Sequence, residues 1–104
     1  MSFHSEFIDF VSKIDLNKIS DAPSLRNASD KIIGKWIELK FQYPDDLIDR
    51  FVYIESSIED TMFEDYKNQA EQDREYRDAF NFHYPRFVEA MKDVVKRAKG
   101  GSAQ

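Results

Sequence analysis

The chain reads as an all-α protein, a small irregular bundle of four or five helices. Three observations predict this. Apolar residues recur at helical spacing along most of the 104 positions. Breakers are sparse: three prolines (Pro23, Pro44, Pro85) and three glycines (Gly34, Gly100, Gly101), with neither type between Pro44 and Pro85, whereas all-β folds need turns far more often. An apolar fraction of 41%, with nine Phe, five Tyr and one Trp, suffices for a single core and is too high for a disordered chain.

Ser5 to Leu16 is the first helix. Phe3, Phe7, Phe10 and Ile14 step by four, three and four, Ile8 and Val11 widen the stripe, and Asp9 pairs with Lys13 one turn on. Asn17 to Ser24 is a loop whose end, Asp21-Ala22-Pro23, suits a helix start. The second helix spans Ser24 to Tyr43. Leu25, Ala28, Ile32, Trp36, Leu39 and Tyr43 form one stripe, and Ile33, Ile37 and Phe41 a second beside it. So wide an arc predicts a helix covered on two sides, at a bundle centre or a homodimer seam. From Ile37 to Tyr43 apolar and polar residues also alternate as in a half-buried strand, with Gly34 a candidate boundary; the helical period starts earlier and runs longer, which favours helix.

Pro44-Asp45-Asp46 opens the third helix, whose face is Leu47, Phe51, Ile54, Ile58 and Met62, with Ile48, Val52, Phe63 and Tyr66 beside it. Ser56 and Glu59 match a capping box, but the unbroken period makes them exposed helical positions. Between Lys67 and Asp78 only Ala70 and Tyr76 are apolar. Two readings stand. One long helix runs from Asp45 to about His83, about 60 Å at 1.5 Å per residue, or a polar connection joins two helices near Asn68. The second is favoured because the stretch has little to pack on. Tyr84 precedes Pro85, so a kink or restart is expected there. Phe87, Val88, Met91, Val94, Val95 and Ala98 then give a last helical face, ended by Lys96, Arg97 and Lys99 and capped by Gly100. Residues 1–99 thus form one helical domain and 100–104 a disordered tail.

Several function classes drop out. Without cysteine there is no disulfide scaffold, thiolate zinc site or cysteine nucleophile. No apolar run is long enough to cross a membrane. Met1 to Glu6 lacks the basic and apolar regions of a secretory signal, so a cytoplasmic protein is expected. The two histidines are His4, in the N-terminal fringe, and His83, in the aromatic cluster. His83 reads as a base or pH-sensitive contact, or, more ordinarily, as a hydrogen-bonded residue beside the kink. There is no E-x-x-H pair, Gly-rich phosphate loop, G-x-S-x-G elbow or H-E-x-x-H. Glu55, Glu59 and Glu64 lie near one helix face, as solvated glutamates commonly do. No catalytic residue, cofactor or metal is expected, and the protein is read as a non-enzyme.

Charge is distributed unevenly. The net charge of −5 divides into zero over residues 1–44, −8 over 45–78 and +3 over 79–104. The middle block reads either as a solvated face or as a surface for a basic partner, which it would steer by Coulomb attraction. Its expected contact residues are Asp60, Glu64, Glu71, Asp73 and Glu75. Phe82 and Tyr84 are the aromatic candidates, since rings beyond what so small a core can bury collect at interfaces. The reading is a protein–protein interaction module: an inhibitor, adaptor or immunity-type accessory protein of a bacterium or phage, with a homodimer expected from the second helix. The alternative is a nucleic-acid-directed protein. It would either mimic phosphates with the acidic block or bind weakly through Lys92, Lys96, Arg97 and Lys99 with Phe82, Tyr84 and Arg86.

Overall fold

The computed structural model describes residues 3–39 and 45–103, apart from the side chains of 3–5, 45, 47 and 97–103. It is all helical: α1 (Phe3–Ser12), a 3₁₀ turn (Leu16–Lys18), α2 (Ala22–Glu38), α3 (Asp45–Met62) and α4 (Gln69–Ala103). No strand occurs among the described residues. Local chemistry sets the starts. Asp15 accepts from the Asn17 amide at 3.0 Å to begin the 3₁₀ turn. Asp21 caps α2 reciprocally: its carboxylate accepts from the Ser24 amide at 3.0 Å, and the Ser24 hydroxyl accepts from the Asp21 amide at 3.1 Å. Pro23 sits in that first turn, where its missing N–H costs nothing.

Successive long helices run antiparallel. Arg26, early in α2, reaches Glu59 (2.8 Å) and Glu55 (3.4 Å), late in α3. In the next pair Tyr76 meets the end of α3, the Phe87 ring lies edge-on to Phe51 (centroids 5.7 Å apart), and Arg50 is ion-paired with Asp93. α1 closes the bundle against α2 and α4. The core between them holds Phe7, Val11, Leu25, Ile32, Phe51, Ile54, Ile58, Phe87 and Val94, all fully buried. α4 has 35 residues, about 52 Å of helix, and fixes the longest dimension of the molecule at 53 Å. The radius of gyration is 15.0 Å, against about 13 Å for a compact domain of this length. The two ends of α4 therefore lie at opposite poles of an elongated molecule.

The structure decides or corrects several expectations. The single long helix from Asp45 does not form. α3 ends at Met62 and α4 begins at Gln69, so the break falls at residues 63–68 and most of the polar stretch is helix rather than connection. No restart occurs at Pro85, which is inside α4. His83 and Phe87 on either side are buried against the bundle, and this anchoring outweighs the one hydrogen bond that proline removes. The helix also runs past Gly100 to Ala103 instead of ending at Lys99. α2 stops at Glu38, five residues before Tyr43, with Leu39 as its cap. Ile37 and Glu38 are helical, against the strand alternative; Phe41 and Tyr43 lie outside the described residues. Within the bundle α2 is covered on one side: Leu25, Ala28, Ile32 and Leu39 of the first stripe are buried, whereas Trp36 and Ile33 are half-buried and Ile37 is exposed. Glu59 is no idle surface position, since it holds Arg26 across the α2–α3 seam.

Candidate functional site

The α3–α4 turn gathers the predicted acidic residues at one pole. α3 has no glycine to cap it, and its last carbonyls are met instead by two phenols. The Tyr66 hydroxyl donates to the Thr61 carbonyl at 2.6 Å and the Tyr76 hydroxyl to that of Met62 at 3.4 Å. The two rings meet edge-on, 6.3 Å apart. On the other side of the turn Asn68 caps α4, its side-chain oxygen accepting from the Glu71 amide at 2.8 Å. The tip is thus fixed by hydrogen bonds from both helices.

Of the five predicted acids, Asp60, Glu64, Asp73 and Glu75 are exposed and Glu71 is half-buried. Asp73 is engaged, accepting from the Gln69 amide group at 2.8 Å. Glu64, Glu75 and Glu71 all act electrostatically on Tyr66, whose phenol is held above its ordinary pKa first by loss of solvent and then by these charges and Tyr76. One face therefore unites the end of α3 with the start of α4. At its edge stands Phe63, 78% exposed. The sequence places Phe63 beside the buried stripe of the third helix. It points outward because that helix ends one residue earlier. The acids following it, Glu64 and Asp65, are the one sequence sign that the stripe had stopped.

The aromatic candidates divide. Tyr84 is half-buried, stacked on Phe80 (centroids 5.0 Å apart) and packed on the core. Phe82 is exposed, with the Arg86 guanidinium 3.9 Å above its ring. Between Phe82 and Tyr53 lies His83, 5% exposed, its edge contacts at 4.9 and 5.6 Å. Its Nδ1 has no hydrogen-bond partner. The hydrogen-bonded histidine expected beside a kink is thus not what Nδ1 shows. Burial, with a smaller push from Arg86, holds the imidazole pKa below its ordinary value.

Two clefts lie elsewhere. A charged cleft of about 620 Å³ separates α1 from α2; Lys13 is paired with Asp9 there, and Lys35 lies over the Phe10 ring. An apolar groove of about 490 Å³ runs between α4 and the end of α1, lined by Val11, Leu16, Val88, Met91 and Val95 and rimmed by Lys92 and Lys96. Lys92 and Lys96 line this groove beside α1, whereas Arg86 lines a separate cleft with Tyr53. The groove was not foreseen from sequence, because Val88, Met91 and Val95 read only as a buried face.

Among the described residues no three His, Asp or Glu side chains converge to hold a metal ion, and no helix is long and apolar enough to cross a membrane. Comparison with known protein families, with curated proteins and with solved structures finds no match.

Proposed function

We propose that the protein is a non-enzymatic interaction module that engages a basic protein partner through the acidic tip formed by the α3–α4 turn. One observation carries this reading. Asp60, Glu64 and Asp65 stand at the C-terminal end of α3 beside the exposed Phe63, with no basic residue in the last helical turn. The helix macrodipole is negative at that end, so each acid there costs about 0.3–1 kcal/mol where a lysine would stabilise. An exposed phenylalanine flanked by unfavourable charges works against folding and for binding. Departures of this kind from local consistency concentrate at functional sites. The ring supplies a desolvated anchor and the acids supply steering. An inhibitor, adaptor or immunity-type protein acting in the bacterial cytoplasm, of bacterial or phage origin, fits this design.

The test is affinity capture followed by kinetics. Partners retained by the native chain should be lost by the Glu64→Lys/Glu71→Lys/Glu75→Lys variant and kept by Phe82→Ala. Association with the purified partner should slow most at low salt, because exposed charges act mainly on encounter. An unchanged association rate at low salt makes the tip a solvated face. If the captured partners bind nucleic acid and compete for the tip with DNA or RNA, the acids act as phosphate mimics.

A further inference from the structure

The acidic tip and the lysine-rimmed groove complement each other in both charge and polarity. The tip offers Phe63 between Asp60, Glu64 and Asp65, three carboxylates that form no ion pair among the described residues. The groove offers an apolar floor of Leu16, Val88, Met91 and Val95 below Lys92 and Lys96, which likewise form no ion pair among the described residues. The underlying sequence blocks carry −8 and +3.

The two features cannot meet within one molecule. Both are tied to α4, one at its Gln69 end and the other at Lys92, which are about 35 Å apart along a continuous helix. Nothing in the bundle bends the tip back. A ring standing free at one pole and an open apolar groove towards the other are satisfied only between molecules. We propose that the groove is a docking site for the Phe63 tip of a second copy of this chain. The contact is heterologous, tip to groove. It closes into a pair when two antiparallel copies exchange tips, and propagates when they do not. This rests on reading the tip as a binding element and names the occupant of the groove. It also places self-association away from α2, where the sequence put it.

A single aromatic anchor with a small charged rim makes a weak interface, below the usual size of stable complexes. Sedimentation equilibrium of the purified full chain from about 10 to 500 µM, at about 50 mM salt, covers that range. The weight-average mass should rise above 12.3 kDa with concentration and return towards it at about 0.5 M salt, where charges are screened beyond about 4 Å. Phe63→Ser and Lys92→Glu/Lys96→Glu should each remain at the monomer mass, with native circular dichroism. Mixing these two variants is the decisive arm. One retains the groove and the other the tip, so an equimolar mixture should regain association through one intact contact. A symmetric seam, such as one through the exposed Ile37, gives no such rescue. A native chain that stays monomeric to the highest concentration, or self-association that both variants retain, overturns the proposal. Either result leaves the tip's capture of a foreign basic partner standing, since that is read with a different molecule.

Discussion

Reversing two acids at the end of α3 should make the fold more stable. Asp60 lies in the last turn of α3 and Glu64 two residues beyond its end; both are exposed. An acid at a helix C-terminus costs about 0.3–1 kcal/mol and a cation gains a similar amount, so each reversal swings stability by about twice the lower figure at an exposed site. For Asp60→Lys/Glu64→Lys the sum is about 1–2 kcal/mol at low salt. A chain of 104 residues has an unfolding entropy of about 0.22 kcal/mol/K near its midpoint, so Tm should rise by about 5–9 °C. Most of the rise should vanish at about 0.5 M salt. Glu71 supplies the control of opposite sign. It sits in the first turn of α4, where an acid is favourable, so Glu71→Lys should lower Tm. Calorimetry at low and high salt reads all three effects. A double variant no more stable than the native chain, or a Glu71 variant that gains stability, refutes the view that the tip is charged against its own helix.

Other perturbations probe the frame around the tip. Phe87→Ala empties a fully buried site and removes the edge-on contact with Phe51, so denaturant unfolding should show a loss of about 3–5 kcal/mol. Tyr66→Phe removes the hydroxyl from the Thr61 carbonyl and should cost about 0.5–1.5 kcal/mol with the helical spectrum unchanged. His83 titrates below its ordinary value in the folded chain. The unfolded chain therefore binds the proton more readily, and stability should fall as pH drops below about 6.5 towards the folded pKa. His83→Phe should flatten that slope in chemical denaturation at stepped pH, while an unchanged slope assigns it to other groups.

The helices were legible in the sequence because their signals are local. Of the expected stripes, Phe7 and Val11, Leu25, Ala28 and Ile32, Phe51, Ile54 and Ile58, and Phe87 and Val94 become buried. The Asp21-Ala22-Pro23 start appears with a reciprocal cap, and the break expected near Asn68 falls at residues 63–68. What escaped depends on partners distant in the chain. Pro85 forecasts an interruption when its neighbours are read alone; the helix persists because His83 and Phe87 are held by α3. α3 ends at Met62 with the Tyr66 and Tyr76 hydroxyls on its carbonyls, and no capping motif in the sequence announces either bond. That misplaced end hid Phe63, the most exposed large apolar side chain among the described residues. The exposure of Asp60, Glu64, Asp73 and Glu75 was legible from charge alone, whereas ring content does not reveal that Tyr84 is the ring that stacks on Phe80.

The most direct test of the tip replaces Phe63 with the photoreactive benzoylphenylalanine in cells, with the same substitution at Phe82 and Tyr53 as comparisons. All three side chains are exposed and differ in position: Phe63 is at the tip, while Phe82 and Tyr53 flank His83. Irradiation should give a discrete protein adduct from position 63 that disappears when Glu64 and Glu71 are reversed to lysine, with the cross-linked site on a basic surface. Adducts from position 82 or 53 with none from 63 would contradict the account and move recognition to the aromatic face around His83.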